Sequence, residues 1–513
     1  MTKVTERERA QLASLSRVAA CLINEHLVQA TFAGDTITIR HPKSNDEVTI
    51  RLCNVSVGNG YVHPTDITHQ VRHSGGELVA DGASLMKLFG KWADVDVRRV
   101  CQELENCVEN QQRTYSKPRD LDIHSPAIEW EQAVVEGDSI HPWHKCRFPV
   151  VDDFTTTRIH FVVAGFPGVE VVGTYNEWMG KVLAPDIVDA NQNGTIIPVH
   201  ELQLPTVQQL YPEIKVLPQT VIGRPQSSLR TISLPGTTDE ICIKIPVPIK
   251  VTSIVRTIRP WAITIGHRLG PILQLLEEAS RRFGGSLITT REYGAAKSET
   301  EHLGCLIRES SESISARTGD RLIVCAALAE NIGAVWDESA DRPSVLREYC
   351  YHLFRAVLPS VFLHGFALQA HLQNLLVRLD PGTKEIKGFV ARDFGSFRVH
   401  SATFLETTSL DIDTSWVLTG MDTLEKVYCY ILSVVHGHVG RMSKALDLGM
   451  GGWKIALEEL QKVIPPKNEM ARQLWLERPT RVARAHVSMQ LYGVKTECTS
   501  IQVPNLFYHA RLN

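Results

Sequence analysis

Several common signatures are missing from this 513-residue sequence, and each missing signature excludes a class of protein. None of the eleven cysteines are spaced as C-x-x-C, so the sequence predicts free thiols in a reducing compartment and neither a zinc site nor a disulfide framework. No apolar stretch reaches the roughly 20 residues that a membrane span requires. The formal net charge of -3 gives no general attraction for nucleic acid or anionic lipid. We therefore expect a cytoplasmic protein that binds neither nucleic acid nor a membrane.

The composition is that of a folded protein, with 43% hydrophobic and 22% charged residues. Its length predicts two or three sub-domains that share a cleft. The first, residues 1–135, has helical periodicity and one hairpin pattern, which is typical of a supporting domain. Residues 136–320 are rich in β patterns, and residues 321–513 are mainly helical. The fold class predicted from this order is α+β.

The segment ARDFGSFRVH, residues 391–400, is similar to the metal-binding turn of a protein kinase. The preceding sequence predicts a helix that ends near His371 and Asn374, followed by a strand, a turn and a returning strand. This hairpin would bring Asn374 and Asp393 to the same end. Their oxygens are hard ligands suited to Mg²⁺ that bridges nucleotide phosphates. The sequence therefore predicts a metal site formed by Asp393 and Asn374, although Asp-Phe-Gly alone is equally consistent with a simple turn.

Two further features argue against a protein kinase. No acidic catalytic base precedes Asn374, and no G-x-G-x-x-G motif opens the β-rich region. If one helix carried both His364 and His371, seven residues would separate them by roughly 10 Å, too far for one ion. We interpret His371 as a hydrogen-bond donor to phosphate or carboxylate, and His364 as structural.

Two basic segments of the β-rich region combine cations with hydroxyl groups, which together can hold a polyphosphate without a glycine-rich loop. Each segment alone is also consistent with an exposed, charged strand face. The candidate phosphate ligands in them are Ser228, Arg230, Thr231, Lys244, Lys250, Thr252, Ser253, Arg256, Thr257 and Arg259.

A third cluster lies at HPWHKCR, residues 141–147. It contains His141, His144, Lys145 and Arg147. The two cations would repel a metal ion, so the cluster favours an anion with several carboxylates over zinc. The alternative is ordinary surface charge.

Together these segments resemble the siderophore synthetases that work independently of nonribosomal peptide synthetases, the family of the aerobactin synthetases. The resemblance rests on five motifs in the family's order between about residues 139 and 400, more than half of the chain. They are HPWHKCR, SLRT, KIPVPIKVTSIVRT, HGFALQAHLQN and RDFGSFR.

The resemblance implies a hand-shaped fold of thumb, fingers and palm, in which the fingers are β-rich and the palm is helical and distantly kinase-like. It implies an ATP- and Mg²⁺-dependent ligase that adenylates a polycarboxylate, usually citrate, with release of pyrophosphate. An amine or hydroxyl group then displaces AMP, as in siderophore biosynthesis. A homodimer is expected only because family members often dimerise.

The resemblance also implies roles for individual residues. Arg256 and His371 would be catalytic, contacting both ATP and the carboxylate, and Asp393 would carry Mg²⁺ with Asn374. The ATP ligands would be Ser228, Arg230, Thr231, Lys244, Thr252, Ser253, Arg256, His371, Asn374 and Asp393. The substrate ligands would be His141, His144, Lys145, Arg147, Arg398 and Arg484.

Departures from the family pattern leave alternatives open. Gln369 stands where many members carry Glu, and Arg484 and Gln490 replace residues of a C-terminal motif. The chain is therefore also consistent with the same ligase chemistry on another polycarboxylate for a non-siderophore metabolite. A weakly active nucleotide-binding protein is the alternative from a different class. The identity of the carboxylate and of the acceptor is not encoded in these motifs.

Overall fold

The computed structural model describes residues 4–41, 46–53, 61–191, 193–236, 238–251, 254–410, 412, 420–493 and 500–512. Thr252 and Ser253, both predicted ATP ligands, lie outside these residues. No helix within the described ranges is long and apolar enough to cross a membrane.

The N-terminal part combines a helical layer with a four-stranded antiparallel sheet of order β1-β2-β3-β4. Its helix α1 begins with a capping box between Thr5 and Glu8. The predicted hairpin is confirmed, since β2 pairs with β3 through the buried pair Ile39 and Val48. The elements are α1 (Glu6–Asn24), β1 (Gln29–Ala33), β2 (Thr36–Arg40), β3 (Glu47–Leu52), β4 (Ile67–His73), α2 (Gly82–Ala93), α3 (Arg98–Tyr115) and α4 (Ala127–Gln132).

Most strands of the middle part form one large sheet. Before the last two strands of that sheet, the chain forms a helix and a short strand that pack into the C-terminal part instead. The first eight strands are β5 (Thr157–Ala164), β6 (Glu170–Gly173), β7 (Thr195–His200), β8 (Lys215–Pro225), β9 (Thr231–Leu234), β10 (Thr238–Lys244), β11 (Lys250–Val251) and β12 (Ile254–Val255). The others are β13 (Leu287–Thr289), β14 (Glu292–Lys297) and β15 (Gly304–Glu309), and the helices are α5 (Tyr175–Leu183), α6 (Pro185–Asp189), α7 (Leu204–Leu210), α8 (Pro260–Arg268) and α9 (Gly270–Arg282).

The large sheet has eight strands in the order β6-β14-β15-β10-β9-β8-β5-β7. Every neighbouring pair in it is antiparallel. The sheet and its flanking helices enclose a separate apolar core, in which Ile159, Ile197 and Ile307 are fully buried. This confirms the β-rich middle region and the mixed α and β class.

The C-terminal part is mainly helical around a four-stranded sheet of order β13-β19-β18-β16. Its strands are β16 (Arg321–Val324), β17 (Phe366–Ala367), β18 (Leu375–Leu379), β19 (Ile386–Ala391), β20 (Arg398–Val399), β21 (Thr480–Arg484) and β22 (Ser500–Pro504). Its helices are α10 (Ser311–Thr318), α11 (Cys325–Glu330), α12 (Arg342–Val357), α13 (Pro359–His364), α14 (Ser401–Thr408), α15 (Leu424–Ala445), α16 (Gly449–Val463), α17 (Glu469–Ala471), α18 (His486–Tyr492) and α19 (Leu506–Leu512).

The chain links the two larger sheets directly. Strand β13 pairs in parallel with β19 of the C-terminal sheet, and three residues later the chain enters β14 of the eight-stranded sheet. Helix α9 and β13 also pack into the C-terminal core through Leu276 and Leu287. The ends of β14 and β19 therefore lie near each other, at the point where the two sheets meet.

One sequence prediction about this region is wrong. The helix expected to continue to Asn374 ends at His364, because Gly365 takes a left-handed conformation with φ of +59° and closes it. The chain then runs as the short strand β17, which pairs with β20. His364 and His371 therefore do not share a helix, and the helical distance argued for them does not apply.

Candidate active site

The hairpin of β18 and β19 brings Asn374 and Asp393 to one end, as its sequence predicts. Leu375 lies opposite Ala391 in the antiparallel register, and the Arg392 amide donates to the Asn374 carbonyl at 3.0 Å. Asp393 follows with φ of 65°, which turns the chain away from the strand. Asn374 and Asp393 are thus held at the end of a strand pair whose residues are mostly apolar and buried, with Arg378 and Lys387 as the charged exceptions.

Asp393 contacts the eight-stranded sheet through Lys244, the last residue of β10. The Lys244 Nζ atom lies 2.6 Å from Asp393 Oδ1, and the lysine side chain is 4% exposed. Burial alone would raise the pKa of Asp393, but the charges of Lys244, Arg230 and Arg308 outweigh that effect and hold it well below its usual range. Burial also lowers the pKa of Lys244 to about 8, against the opposing influence of Asp393.

A loop between β8 and β9 supplies the next cation, Arg230. Its Nη1 atom donates to the Thr257 carbonyl at 2.6 Å, and its own carbonyl accepts from the Ile245 amide at 2.9 Å. The Ser228 hydroxyl accepts from the Thr231 amide at 3.2 Å, which closes the loop. Residues of the two predicted basic segments therefore contact each other through the backbone.

Arg256 and Arg308 carry polar atoms with no hydrogen-bond partner. Arg256 Nε and Arg308 Nη1 are both buried and unpaired. Burial lowers the pKa of Arg256 to about 10, and the charge of Arg230 contributes to this shift. Unpaired guanidinium nitrogens at a buried position are costly unless an anion completes them. Their presence beside Lys244 and Arg230 fits a phosphate-bearing ligand.

His371 approaches the same group of charges from the C-terminal part of the chain. Burial lowers its pKa to about 4, with opposing influences from Asp393 and Asp138 and reinforcing ones from Arg484 and Arg256. The imidazole is therefore neutral at neutral pH. The segment that precedes His371 is held in place by His438, whose ring contacts the Ala370 carbonyl at 2.8 Å and the Tyr349 hydroxyl at 2.7 Å.

A metal ion at Asp393 would need oxygens from several sources. Among the residues that the structure describes, no group of three His, Cys, Asp or Glu side chains is arranged to hold a metal. Asn374 donates its Nδ2 to the Gln369 carbonyl at 3.1 Å, and this bond leaves its Oδ1 as the acceptor atom. The donor set is one carboxylate and one amide oxygen, which fits Mg²⁺ completed by phosphate and water.

The candidate residues of the HPWHKCR cluster are buried, and their side chains face two different parts of the protein. The His141 ring lies 4.2 Å from the His486 ring, and its pKa is lowered by burial and also by nearby Arg484 and Arg256. The Lys145 Nζ atom donates to the Val134 carbonyl at 2.7 Å. His141 therefore neighbours the charged cluster around Arg256, whereas Lys145 faces a different backbone segment.

The other two members of that cluster have partners within the supporting structure. Arg147 donates to the Asp152 carbonyl at 2.7 Å and packs 4.9 Å from the Phe154 ring. The His144 Nδ1 atom lies 3.7 Å from Cys107 Sγ. The role of all four residues in substrate binding stays a prediction.

Arg398 and Arg484 lie near each other in the C-terminal part. The Arg398 guanidinium packs 5.1 Å from the Tyr430 ring, and Arg484 contributes to the lowered pKa of Arg398, which burial dominates. Gln490 is instead a structural contact, because it donates to the buried Glu103 at 2.5 Å. The Lys250 Nζ atom also lies 2.8 Å from Glu103 Oε2, so this lysine of the basic segment already has an ion-pair partner.

Sequence reasoning missed Arg308 and Glu292, which face the same charged group. They lie opposite each other on β15 and β14. Burial raises the pKa of Glu292 to about 7, with opposing influences from Arg308 and Lys244. A charged residue within the fully buried strand sequence GCLIRE is the signal that could have identified Arg308.

Two surface cavities of the described residues contain none of the predicted site residues. One of about 770 Å³ is lined by residues 176–189, and another of about 270 Å³ lies beside Cys429 and Arg481. The candidate site is therefore identified by its charged groups and by its donors without partners, at the point where the two sheets meet.

Comparisons with known proteins point to one family. Residues 172–330 match the model described as the IucA / IucC family, and residues 344–493 match one described as a ferric iron reductase FhuF-like transporter. A siderophore synthetase-like protein of Aspergillus thermomutatus is 30% identical over 420 residues, which cover 74% of this chain and 68% of that protein. An NRPS-independent siderophore synthetase of Rhizopus delemar is 27% identical over 481 residues, 83% of this chain and 75% of that protein.

Solved structures share the fold at low sequence identity. The petrobactin biosynthesis protein AsbB of Bacillus anthracis has a TM-score of 0.79 at 18% identity, covering 99% of this chain and 96% of that one. The aerobactin synthetase IucC of Klebsiella pneumoniae has a TM-score of 0.76 at 17% identity, covering 99% of both chains. The sequence relatives show the family and the structures show its fold: this chain belongs to the NRPS-independent siderophore synthetases, a family of ligases.

Proposed function

We propose that this protein is an ATP-dependent ligase that activates a polycarboxylate, with citrate as the first candidate, and joins it to an amine or alcohol. In the first step a carboxylate oxygen bonds to the α-phosphorus of ATP, and pyrophosphate leaves. In the second step the acceptor nitrogen or oxygen bonds to the acyl carbon, AMP leaves, and the acceptor loses its proton. The product class is an amide or ester of the kind found in siderophores.

The observation that carries this proposal is the cluster of cations around Asp393. Lys244, Arg230, Arg256 and Arg308 converge on one carboxylate, and two of the guanidinium groups have buried nitrogens without partners. A polyphosphate would supply the acceptors that these donors lack. Attack of a carboxylate on a phosphate joins two anions, and fixed cations lower the repulsion and stabilise the transition state.

Within this cluster we assign separate tasks to the palm and the fingers. Lys244, Arg230 and Arg256 bind phosphate oxygens from the eight-stranded sheet, and Ser228 and Thr231 order the loop. Asp393 and Asn374 would hold Mg²⁺, which supplies positive charge to the phosphates when it is bound. An ATP-bound aerobactin synthetase IucA of Klebsiella pneumoniae has the same fold, with a TM-score of 0.69, and this likeness supports ATP as the nucleotide.

The carboxylate substrate is proposed to lie between His371, Arg256 and the edge residues His141, Arg398 and Arg484. Neutral His371 donates a hydrogen bond without requiring a second buried charge. We retain the thumb, fingers and palm division at 1–135, 136–320 and 321–513 as a proposal, with a kinase-like palm around the β18 and β19 hairpin. All ten cysteines within the described residues are free thiols, which supports a reducing, cytoplasmic location.

The test is an incubation of purified protein with ATP, Mg²⁺ and one of citrate, 2-oxoglutarate, succinate or malate. Hydroxylamine serves as a surrogate amine, and pyrophosphate and hydroxamate are measured together. Equal amounts of both with one acid would support adenylation and identify the carboxylate. ATP binding without pyrophosphate for any acid would contradict the ligase proposal and favour a protein that only binds nucleotide.

A further inference from the structure

A buried polar network joins the two halves of the proposed ATP site, and its central residue is Glu131. Glu131 lies in α4, far in sequence from the three residues that it connects. They are Ser227 of the loop before β9, Gln373 before β18 and Arg392 after β19. The side chains of Glu131 and Arg392 are 3% and 6% exposed. The network is therefore part of the interior and not a surface ion pair.

Each carboxylate oxygen of Glu131 has its own partner. Arg392 Nη1 lies 2.5 Å from Oε1, and the Ser227 hydroxyl and amide donate to Oε2 at 2.7 Å and 3.1 Å. Arg392 also donates to the Gln373 carbonyl at 2.7 Å and to Gln226 Oε1 at 3.2 Å. The Gln373 amide reaches the Ser227 hydroxyl at 3.4 Å. The network thus closes on itself.

Three members of this network are each next to a residue of the proposed site. Ser227 precedes Ser228 and the Arg230 loop, Gln373 precedes Asn374, and Arg392 precedes Asp393. A displacement of the loop against the hairpin would therefore change the distance between the cations and the Mg²⁺ ligands. Displacements of about 1 Å can lower a rate by as much as about 100-fold.

The charges of the pair explain why Glu131 would act as a unit with Arg392. Burial raises the pKa of Glu131, but Arg392 and the Ser227 hydrogen bonds outweigh it and lower that pKa, so the carboxylate is ionised at neutral pH. A buried ion pair adds little net stability compared with an apolar pair, whereas it fixes one arrangement of its segments. The main contribution of the Glu131 and Arg392 pair is therefore to fix the relative position of the two segments that it joins, and not to add net stability.

We propose that Glu131 is a positioning residue that holds the Ser227 to Arg230 loop in register with the Asn374 and Asp393 end of the hairpin. It contacts no substrate, and it acts on ATP through Arg392 and Ser227. The inference rests on the proposed function, because it assigns the two segments to one nucleotide site.

The test compares Glu131→Gln with a matched control, Glu129→Gln. Glu129 lies on the same helix and pairs with Arg119 and Arg224, at 2.5 Å in the second case, without contacting the hairpin. We expect Glu131→Gln to raise the Kd for ATP, measured by calorimetry, about 10-fold and to lower kcat about 10- to 100-fold. The KM for the carboxylate should change less than about threefold, and Glu129→Gln should change none of these constants more than about twofold.

A double-mutant cycle separates positioning from general destabilisation. Glu131→Gln combined with Arg392→Gln should weaken ATP binding no more than the stronger single variant, because the two residues act as one unit. Melting curves verify that each variant is folded at the assay temperature. If Glu131→Gln does not fold, Ser227→Ala removes the hydroxyl contact of the loop with Glu131 and leaves the ion pair and the amide hydrogen bond. It should still raise the Kd for ATP severalfold.

The outcomes distinguish this inference from the function on which it rests. Wild-type protein that binds no ATP would overturn both. Wild-type protein that binds ATP, with a Glu131→Gln variant that matches Glu129→Gln, would overturn the positioning role alone. Purely additive effects of Glu131→Gln and Arg392→Gln on ATP binding would also overturn it.

Discussion

Lys244 of the eight-stranded sheet and Asp393, which follows the hairpin of β18 and β19, form an ion pair of 2.6 Å across the boundary between the two sheets. The charges of Lys244, Arg230 and Arg308 together hold the pKa of Asp393 well below its usual range, against the effect of burial. A bound nucleotide would give Lys244 a phosphate partner and leave the carboxylate for a metal ion. The proposed reaction would thus use the two groups of this pair separately.

Asp393→Asn is expected to lower the rate of pyrophosphate release by at least about 100-fold, because the amide no longer supplies an anionic oxygen to Mg²⁺. The measurement is initial pyrophosphate release at saturating ATP and carboxylate, over a range of Mg²⁺ concentrations. The variant should require more Mg²⁺ than the wild type. Melting curves verify that the variant is folded at the assay temperature, because the amide fills the same position but no longer offsets the charge of the buried Lys244.

The matched control for that variant is Asp380→Asn, at the opposite end of the same hairpin. Asp380 Oδ1 accepts from the Gly382 and Thr383 amides at 2.9 Å each, and an asparagine oxygen can accept these bonds. Its activity should remain within about twofold of the wild type. Equal activity of the two variants would contradict the assignment of Asp393 as the metal ligand.

Lys250 and Lys244 belong to one basic segment of the sequence, but they should respond differently to replacement. Lys250 pairs with Glu103, which is fully buried, so Lys250→Met removes the shorter of the two ion pairs of this carboxylate and leaves it with Arg99 at 3.2 Å and with Gln490. We expect it to lower the free energy of unfolding by about 2 kcal/mol, less than for a buried carboxylate with no partner, measured by urea denaturation, with the KM for ATP unchanged. Lys244→Met should instead raise that KM at least about 10-fold.

The sequence predicted the hairpin that carries Asp393 better than the residues around it. Its two strands have short apolar runs and a DPG turn between them, so the pairing is local and readable from the sequence. The helix before it was extended too far, because its apolar pattern continues past Gly365 while the left-handed glycine closes the helix. Local periodicity does not determine where a buried chain changes direction.

The site residues also differ in how well the sequence predicts them. Arg230, Lys244 and Arg256 follow from motifs, since cations and hydroxyls cluster there in sequence. Arg308 and Glu131 lie in segments without a motif, and they reach the site only through strand pairing and contacts between distant segments. Long-range packing decides which charges are buried together, and a single sequence does not contain that information in readable form.

Arg256→Ala is expected to lower kcat about 100- to 1,000-fold if its buried guanidinium stabilises the charge that develops on the phosphate. The control is Arg259→Ala, three residues later in the same basic segment, where the arginine is exposed. That variant should retain activity within about twofold. Steady-state kinetics with the carboxylate identified by the hydroxamate assay would measure both, and similar losses would indicate a general charge effect instead.

The burial of Lys145 leads to a prediction about how the stability of the protein depends on pH, and this prediction can be tested without any ligand. Burial lowers its pKa to about 7 from the model-peptide value of 10.5, and nearby Arg147 adds to the effect, while Glu330, Glu136 and Cys107 oppose it. Between these two pH values the unfolded chain binds a proton at this lysine that the folded protein does not bind. The free energy of unfolding contributed by Lys145 therefore increases from pH 7 towards pH 10.

Lys145→Met should remove that dependence. The difference in melting temperature, wild type minus variant, should become more positive as the pH increases from about 7 to 10, and it should be nearly constant below pH 7, where both states of the wild type are protonated. Other titrating groups cancel in this difference because both proteins contain them. The exposed Lys467 provides the control, and Lys467→Met should give a flat difference across the range. A flat difference for Lys145→Met as well would mean that the lysine keeps its charge in the folded protein, paired with Glu330 or Glu136.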